Sequence, residues 1–436
     1  VRNAGWPSAL VESMRTETMT LSGRRGMVRT RNHIMPGEFE AQAAVWLGWP
    51  TRQWFRDPRL DTRRSIAQIA RILSDYRIAS NIMCTNDRGI FDAREWMRRY
   101  DYPVTSYMNF LPLPQVDIWV RDYGPVFVRD LSTDRLAIAS YRQNQWGYST
   151  TDDPISRQMS ALPGLVARFL GMETVVDTDV VSEGGGRIQN GRGVLLVGRA
   201  VEFQRNPQAT REELEAAYRT TLGATRIIWL NAGLCEDMQA NLGPISHSDA
   251  GGATIRLYGP QTTGGHLDEF CRFAGPKRIV LAQVGEEEAA ADPIAAVNRE
   301  RLEEACRILS EETDQDGEPF EILRIPAPDP DYMLVQPDEP MYSDFLANLD
   351  YPEDVPRFPR GRAVHIVKPS SYANYFAVNG LVIAPRYGNS IKDRAAARVL
   401  EKAFPGREVV QMDPSPLNYA GGGIHCVTQQ QPVGEY

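Results

Sequence analysis

Five short stretches set a reactive or polar side chain beside glycines or at the end of an apolar run. Asp122 lies in WVRDYGP, Glu183 in SEGGGR, His266 and Asp268 in TGGHLDEF, Asn374 in SYANYF and Cys426 in GGGIHC. Taken singly, each has an ordinary explanation. A free cysteine is usually a small buried hydrophobe, an aspartate can open a turn, and a histidine is often a hydrogen-bonded structural residue. EGGGRIQNGRG is no phosphate loop, having neither GxGxxG nor GK[ST] spacing. As a set they make chemical sense. A thiol of pKa ~8.5 is mostly protonated at neutral pH and needs help to become a nucleophile. His266 can move the proton, and a carboxylate can hold the imidazole. An acyl-transfer enzyme would need oxyanion donors rather than two further carboxylates. Two aspartates facing a pocket suit a planar cation with paired N–H groups, which is what a guanidinium offers. Such a cation would also bring positive charge to a thiolate.

The elements that must position these residues come from a chain of 436 residues, 42% hydrophobic and 24% charged, a globular composition. The net charge of -8 argues against nucleic acid as a partner and suits a small cationic substrate. Five cysteines, odd in number, scattered and without a CxxC pair, fit a reducing compartment and no disulfide framework or thiolate zinc site. No apolar run approaches the ~18 residues that would span a membrane, and the start lacks a signal-peptide apolar core. A cytoplasmic protein is expected, or a secreted one if a leader has been removed. Residues 1–34 read as an arm or tail. Thr62 to Tyr76 shows helical apolar spacing, and further helices are expected over 157–170, 210–222, 289–310 and 391–404. Short strands cluster between them, too often in succession for a doubly wound sheet, so the pattern predicts an α/β or α+β fold. Cys235 to Pro260 reads as an inserted excursion. A second long loop, rich in proline and acid, covers 326–358; loops of this length are often lids or binding walls.

The blocks MPGEFEAQAAVWLGWP, DIWVRDYGPVFV, SEGGGRI, QRNP, GGHLDEFCRFAGP, SYANYFAVNGLVIAP and GGGIHCVTQQQP resemble, in order, those of the agmatine deiminase and bacterial, Porphyromonas-type peptidylarginine deiminase family of the guanidino-modifying (pentein) superfamily. The likeness runs from about Met35 to Pro432. It implies a single catalytic domain over 35–436, an α/β five-bladed propeller with the site on its axis. It also implies hydrolysis of a guanidine to a ureido group and ammonia without metal or organic cofactor. Carried onto this chain, Cys426 is the nucleophile and His266 the general acid and base. Asp122 and Asp268 clamp the guanidinium, and Glu183 supports His266. Trp119, Asn374, Arg121 and Gly423 fall on the substrate-binding side. The resemblance further suggests a homodimer.

Glu183, the stretch Asn144-Gln145-Trp146-Gly147 and SYANYFAVNGLVIAP favour the agmatine branch, whose product is N-carbamoylputrescine. The peptidylarginine branch lacks that glutamate and carries arginines after the DYG block; Arg142 is the nearest counterpart, at the wrong offset. The 235–260 excursion, the long 326–358 loop and Glu269 in GHLDEF, where asparagine is the common continuation, depart from the agmatine pattern. They leave free arginine, an arginyl peptide or another alkylguanidine as alternatives. Two readings of other classes compete. One is a non-haem iron site built from His266, Asp268 and either His365 or His425, which leaves Cys426 and Glu183 idle and which a chelator would test. The other is an inactive binding module on the same fold.

Overall fold

The computed structural model describes residues 33–172, 175–248 and 254–436. The expected arm thus lies outside the described residues, apart from His33 and Ile34, which form a short strand. Among the described residues the fold is mixed α/β, with strands grouped into six sheets of three or four strands.

Five of these sheets share one plan: a short strand, an antiparallel neighbour, a crossover helix and a third strand parallel to the second. Arg187–Gln189 pairs antiparallel with Val194–Gly198, which pairs parallel with Arg226–Leu230 across the helix Arg211–Leu222. Cys271–Phe273, Arg278–Gln283 and Glu321–Pro326 repeat it with the helix Pro293–Glu311. Phe376–Val378, Leu381–Pro385 and Glu408–Met412 repeat it with Ser390–Ala403. Val126–Asp130, Leu136–Arg142 and Val175–Val181 do so with Pro154–Leu170. The last unit joins the two ends of the described chain: Gln429–Pro432 lies antiparallel to Gln42–Gly48, which pairs parallel with Ser80–Met83 after the helix Thr62–Asp75. Central strands such as Val194–Gly198 and Leu381–Pro385 are buried throughout, as a strand covered on both faces must be. The sixth sheet, Ile245–Ser248, Thr254–Tyr258, Val364–Val367 and Tyr332–Val335, is built from the 235–260 excursion and the 326–358 loop with the strand that follows it.

The helices follow their local chemistry. Thr62–Asp75 is capped by the Asp61 carboxylate and buries Ile66, Ile69, Ala70 and Leu73, one face at helical spacing. Thr210 caps Arg211–Leu222 with a reciprocal Glu213 contact. The single helix expected over 289–310 is two: Glu286–Ala291 ends at Asp292, held extended before Pro293, and Pro293–Glu311 starts afresh under the Asp292 cap. Asp87–Arg99 is a helix missing from the expectations above; it buries only Ala93 and Met97. No helix among the described residues is long and apolar enough to cross a membrane.

What matters for the site is the entry turn of each unit. Asp122 precedes Val126–Asp130, Glu183 precedes Arg187–Gln189, and His266 and Asp268 precede Cys271–Phe273. Asn374 precedes Phe376–Val378, and Cys426 precedes Gln429–Pro432. Five like units thus each offer one turn.

Candidate active site

Those turns meet. Cys426 Sγ lies 3.3 Å from Asn374 Nδ2, 3.5 Å from Asp268 Oδ2 and 3.7 Å from Glu269 Oε1. The His266 ring stands between carboxylates: Nε2 is 3.3 Å from Glu183 Oε2, and Nδ1 is 3.6 Å from Asp122 Oδ1 and 3.9 Å from Asp268 Oδ1. Asp122 is fixed by Trp146 Nε1, which donates to its Oδ2 at 2.7 Å, and by the Gly185 amide, which donates to Oδ1 at 3.0 Å. Such proximity needs glycine. A Cβ on Gly185 would fall 2.4 Å from His266 Nδ1, and one on Gly423 would fall 2.3 Å from Asn374 Oδ1. The Gly423 amide also donates to the Cys426 sulfur.

Residues behind the site hold these groups in place. Arg205 Nε donates to Glu183 Oε1 at 2.8 Å, so Glu183 is gripped on one side and bonds His266 on the other. Asp237 anchors the turn of His266, accepting from the amides of Thr263, Gly265 and His266 and from the Thr263 hydroxyl. His425 spends both ring nitrogens: Nδ1 on Asp268 Oδ2 at 2.7 Å and Nε2 on Glu38 at 3.0 Å. Neither is free for iron, which removes His425 from the competing metal triad; His365 packs its ring on Tyr332 in the sixth sheet. Glu38 also takes Arg121 at 3.0 Å and Arg272.

Of the sequence-predicted residues, Cys426, His266, Asp122, Asp268, Glu183, Asn374, Trp119 and Gly423 come together. Arg121 does not face the pocket. It is 1% exposed, and its guanidinium lies between Glu38 and Gln430. It supports the turn through its amide, which donates to the Cys426 carbonyl. The sequence reasoning missed Glu38, Arg205, Asp237 and Glu269 as site residues. The first two lie in the blocks MPGEFE and QRNP. Asp237 lies inside the excursion and carries no local signal.

The electrostatics follow from burial among acids. Burial, with Asp268 and Asp122 and, once ionised, Glu269 adding to it, pushes the Cys426 thiol well up, so it is protonated in the empty site. Burial alone would lower His266, but Asp122, Glu183 and Asp268 overcome it and raise the imidazole to about 9. Burial opposes ionisation of Glu183, yet Arg205 and His266 bring it down to about 2. Asp122 is pushed up to about 6, by burial first. His266 Nδ1 and Asp268 Oδ1 are buried without a hydrogen-bond partner. A narrow pocket opens onto the thiol, walled by Trp119 and Trp146, with Asp122 and Cys426 inside and Gln261, Thr263, Gly421 and Gly422 completing the lining. An imidazolium, a thiol and unpaired carboxylate oxygen around an apolar slot can accept a flat cation, add sulfur to its carbon and protonate a leaving amine.

A mixed α/β chain with this site belongs to the class of hydrolases that act on guanidino carbon–nitrogen bonds. The family model of the Porphyromonas-type peptidyl-arginine deiminase matches residues 34–242 and 255–432, and the chain is a member of that family. Only 243–254 interrupt the match, so Asp237 falls within it. Among similar proteins, the agmatine deiminase of Medicago truncatula is 28% identical over 413 residues, 92% of this chain and 96% of its own. The agmatine deiminase of Pseudomonas aeruginosa strain LESB58 is 28% identical over 411 residues, covering 92% and 95%. Among solved structures, the agmatine deiminase of Enterococcus faecalis superposes with a TM-score of 0.71 at 23% identity, covering 93% of this chain and 98% of that one. The putative arginine deiminase of Porphyromonas gingivalis gives 0.64 at 23%, covering 92% and 99%.

Proposed function

We propose that this enzyme deiminates agmatine, giving N-carbamoylputrescine and ammonia, with the five like units arranged as propeller blades around the site. The observation that carries the substrate assignment is the pocket lining. It holds two indoles, Asp122 and Cys426 but no lysine or arginine. An α-carboxylate entering this slot would find no cation, and stranding a buried charge costs several kcal/mol. The tail of agmatine carries no carboxylate. The relatives named agmatine deiminase, matched over nine-tenths of the chain, support the same substrate.

The residues act as follows. Asp122 and Asp268 take the guanidinium N–H groups, and the arriving cation offsets the acids that keep the thiol protonated, so that the thiol releases its proton to solvent. The Cys426 thiolate adds to the guanidinium carbon. The tetrahedral adduct collapses as His266 protonates the departing nitrogen, and ammonia leaves. A thiouronium remains on sulfur. His266, now neutral, takes a proton from water as its oxygen adds to the same carbon. Collapse of the second adduct breaks the carbon–sulfur bond as its hydroxyl proton passes to sulfur, which restores the thiol and frees the ureido product. Glu183 holds the imidazole by its Nε2, and Arg205 holds Glu183.

Ammonia release from agmatine, free arginine and an arginyl peptide, measured side by side, tests the assignment. Agmatine is expected to show the largest kcat/KM, by at least tenfold. An advantage of that size for arginine or the peptide would overturn it. Cys426→Ser is expected to bind but not turn over.

A further inference from the structure

Glu269 has no part in the reaction above, yet it stands against the nucleophile. It closes the turn Leu267–Glu269 and is 2% exposed. Its Oε1 accepts from Asn374 Nδ2 at 2.9 Å and lies 3.7 Å from Cys426 Sγ, while Oε2 has no hydrogen-bond partner. The titratable groups around it are Asp268 on its own turn, Asp237 and Glu236 on the turn Cys235–Asp237, Cys426 across from it, and the Tyr387 phenol. Asn374 Nδ2 and the Cys426 thiol both donate a hydrogen bond to its Oε1.

An ionised carboxylate here would set another anion beside the sulfur and oppose thiolate formation. Burial, then Asp268 and Asp237, holds the Glu269 carboxyl well above the usual carboxylate range, so it is a neutral acid. A neutral hydroxyl at Oε1 accepts the Asn374 N–H through a lone pair and can donate its own proton toward sulfur. A thiolate wants such donors. Asn374 Nδ2 at 3.3 Å and the Gly423 amide supply two. Asp268, Glu269 and Cys426 also lie close enough to bridge a metal ion, their ligand atoms within 4.8 Å of one another. But Asn374 Nδ2 already stands 2.9 Å and 3.3 Å from two of those atoms, which favours hydrogen bonding over coordination.

We propose that Glu269 is a further catalytic residue, a neutral carboxylic acid whose O–H donates the third hydrogen bond to the Cys426 thiolate. Its proton stays in place throughout, so it stabilises the sulfur anion without joining the proton transfers of His266. This rests on Cys426 being the nucleophile. It implies that the resting thiol becomes more reactive when Glu269 keeps its proton and loses that help as Glu269 ionises at alkaline pH.

Three variants test it. Glu269→Gln keeps the size, the neutrality, an acceptor and a donor, and is expected to retain kcat/KM within about fivefold of wild type. It should also lose any alkaline limb that belongs to Glu269. Glu269→Leu keeps the bulk without a donor and is expected to lower kcat/KM by about a hundredfold. Its unliganded thiol should react with neutral chloroacetamide at least tenfold more slowly at pH 8. That rate needs no guanidine, so it reports on sulfur directly, and a purely structural residue would not order Gln above Leu. If Gln falls as far as Leu, the group acts as a carboxylate and the proposal is wrong; if Leu matches wild type in both measurements, it is wrong too. Cys426→Ser separates the two levels, since turnover in that variant would remove the nucleophile itself, whatever Glu269 does.

Discussion

The empty site keeps its thiol protonated, and the substrate must undo this; the effect can be sized from the geometry. Asp268 Oδ2 lies 3.5 Å from Cys426 Sγ, so a guanidinium clamped by Asp268 and Asp122 sits about 4 Å from sulfur. At an effective dielectric of ~20, a unit charge at that distance favours the thiolate by about 4 kcal/mol, roughly a thousandfold in its population. The comparison to make is between two alkylating agents of similar shape, cationic chloroacetamidine and neutral chloroacetamide, each referenced to its own rate with a free thiol. The cationic reagent is expected to alkylate Cys426 about two to three powers of ten faster than the reference ratio allows. Asp122→Asn provides an internal check with opposite signs. Removing an anion that acts on Cys426 should quicken chloroacetamide, whereas removing half of the clamp should slow chloroacetamidine. If the two reagents keep their free-thiol ratio, or if Asp122→Asn slows both, charge-assisted activation of the sulfur is refuted.

Three further outcomes follow from the same contacts. Glu183→Gln removes the anion bonded to His266 Nε2 and is expected to lower kcat by about a hundredfold with KM little changed, read by steady-state kinetics. Because the folded His266 pKa is raised to about 9 from an ordinary 6.5, its contribution to stability is complete below pH ~6.5 and fades as pH rises through 9. Melting temperature should therefore fall over that window and fall less in His266→Gln, by up to about 3 kcal/mol in stability. Glu38→Gln leaves Arg121 and Arg272 buried without their anion, and chemical denaturation should show a loss of about 3–5 kcal/mol.

Much of the site was legible because its residues sit in turns, where glycine and short polar motifs mark positions that a strand or helix would not. GGGIHC and SEGGGR are written for close approach: Gly423 and Gly185 leave no room for a methyl group against Asn374 and His266. The fold was less legible. A helix between short strands recurs along the sequence, but the shared plan of antiparallel pair, crossover and parallel strand is a pairing rule, and pairing leaves no residue-level repeat. Arginine-rich Asp87–Arg99, polar on average, was passed over although its few apolar residues fall on one side, and only Ala93 and Met97 are buried. The 289–310 segment shows the opposite error, in which good periodicity carried the expected helix across Pro293.

What stayed hidden were acids whose role depends on burial rather than type. Asp237 looks like any loop acid, yet four donors converge on it to set the turn that aims His266. Glu38, from the opposite end of the chain to Cys426, joins His425 and two arginines into the base on which Asp268 rests. A carboxylate can hold several buried donors only if the chain brings them from distant units, and no spacing rule connects residues nearly four hundred positions apart. Arg121 makes the same point from the cationic side. The family resemblance put it on the substrate-binding side, but helical geometry at Val120–Tyr123 turns adjacent side chains in different directions, so Asp122 meets the pocket and Arg121 meets Glu38. An arginine aimed the other way would have offered a carboxylate anchor in the slot, and the case for a decarboxylated substrate would fail with it.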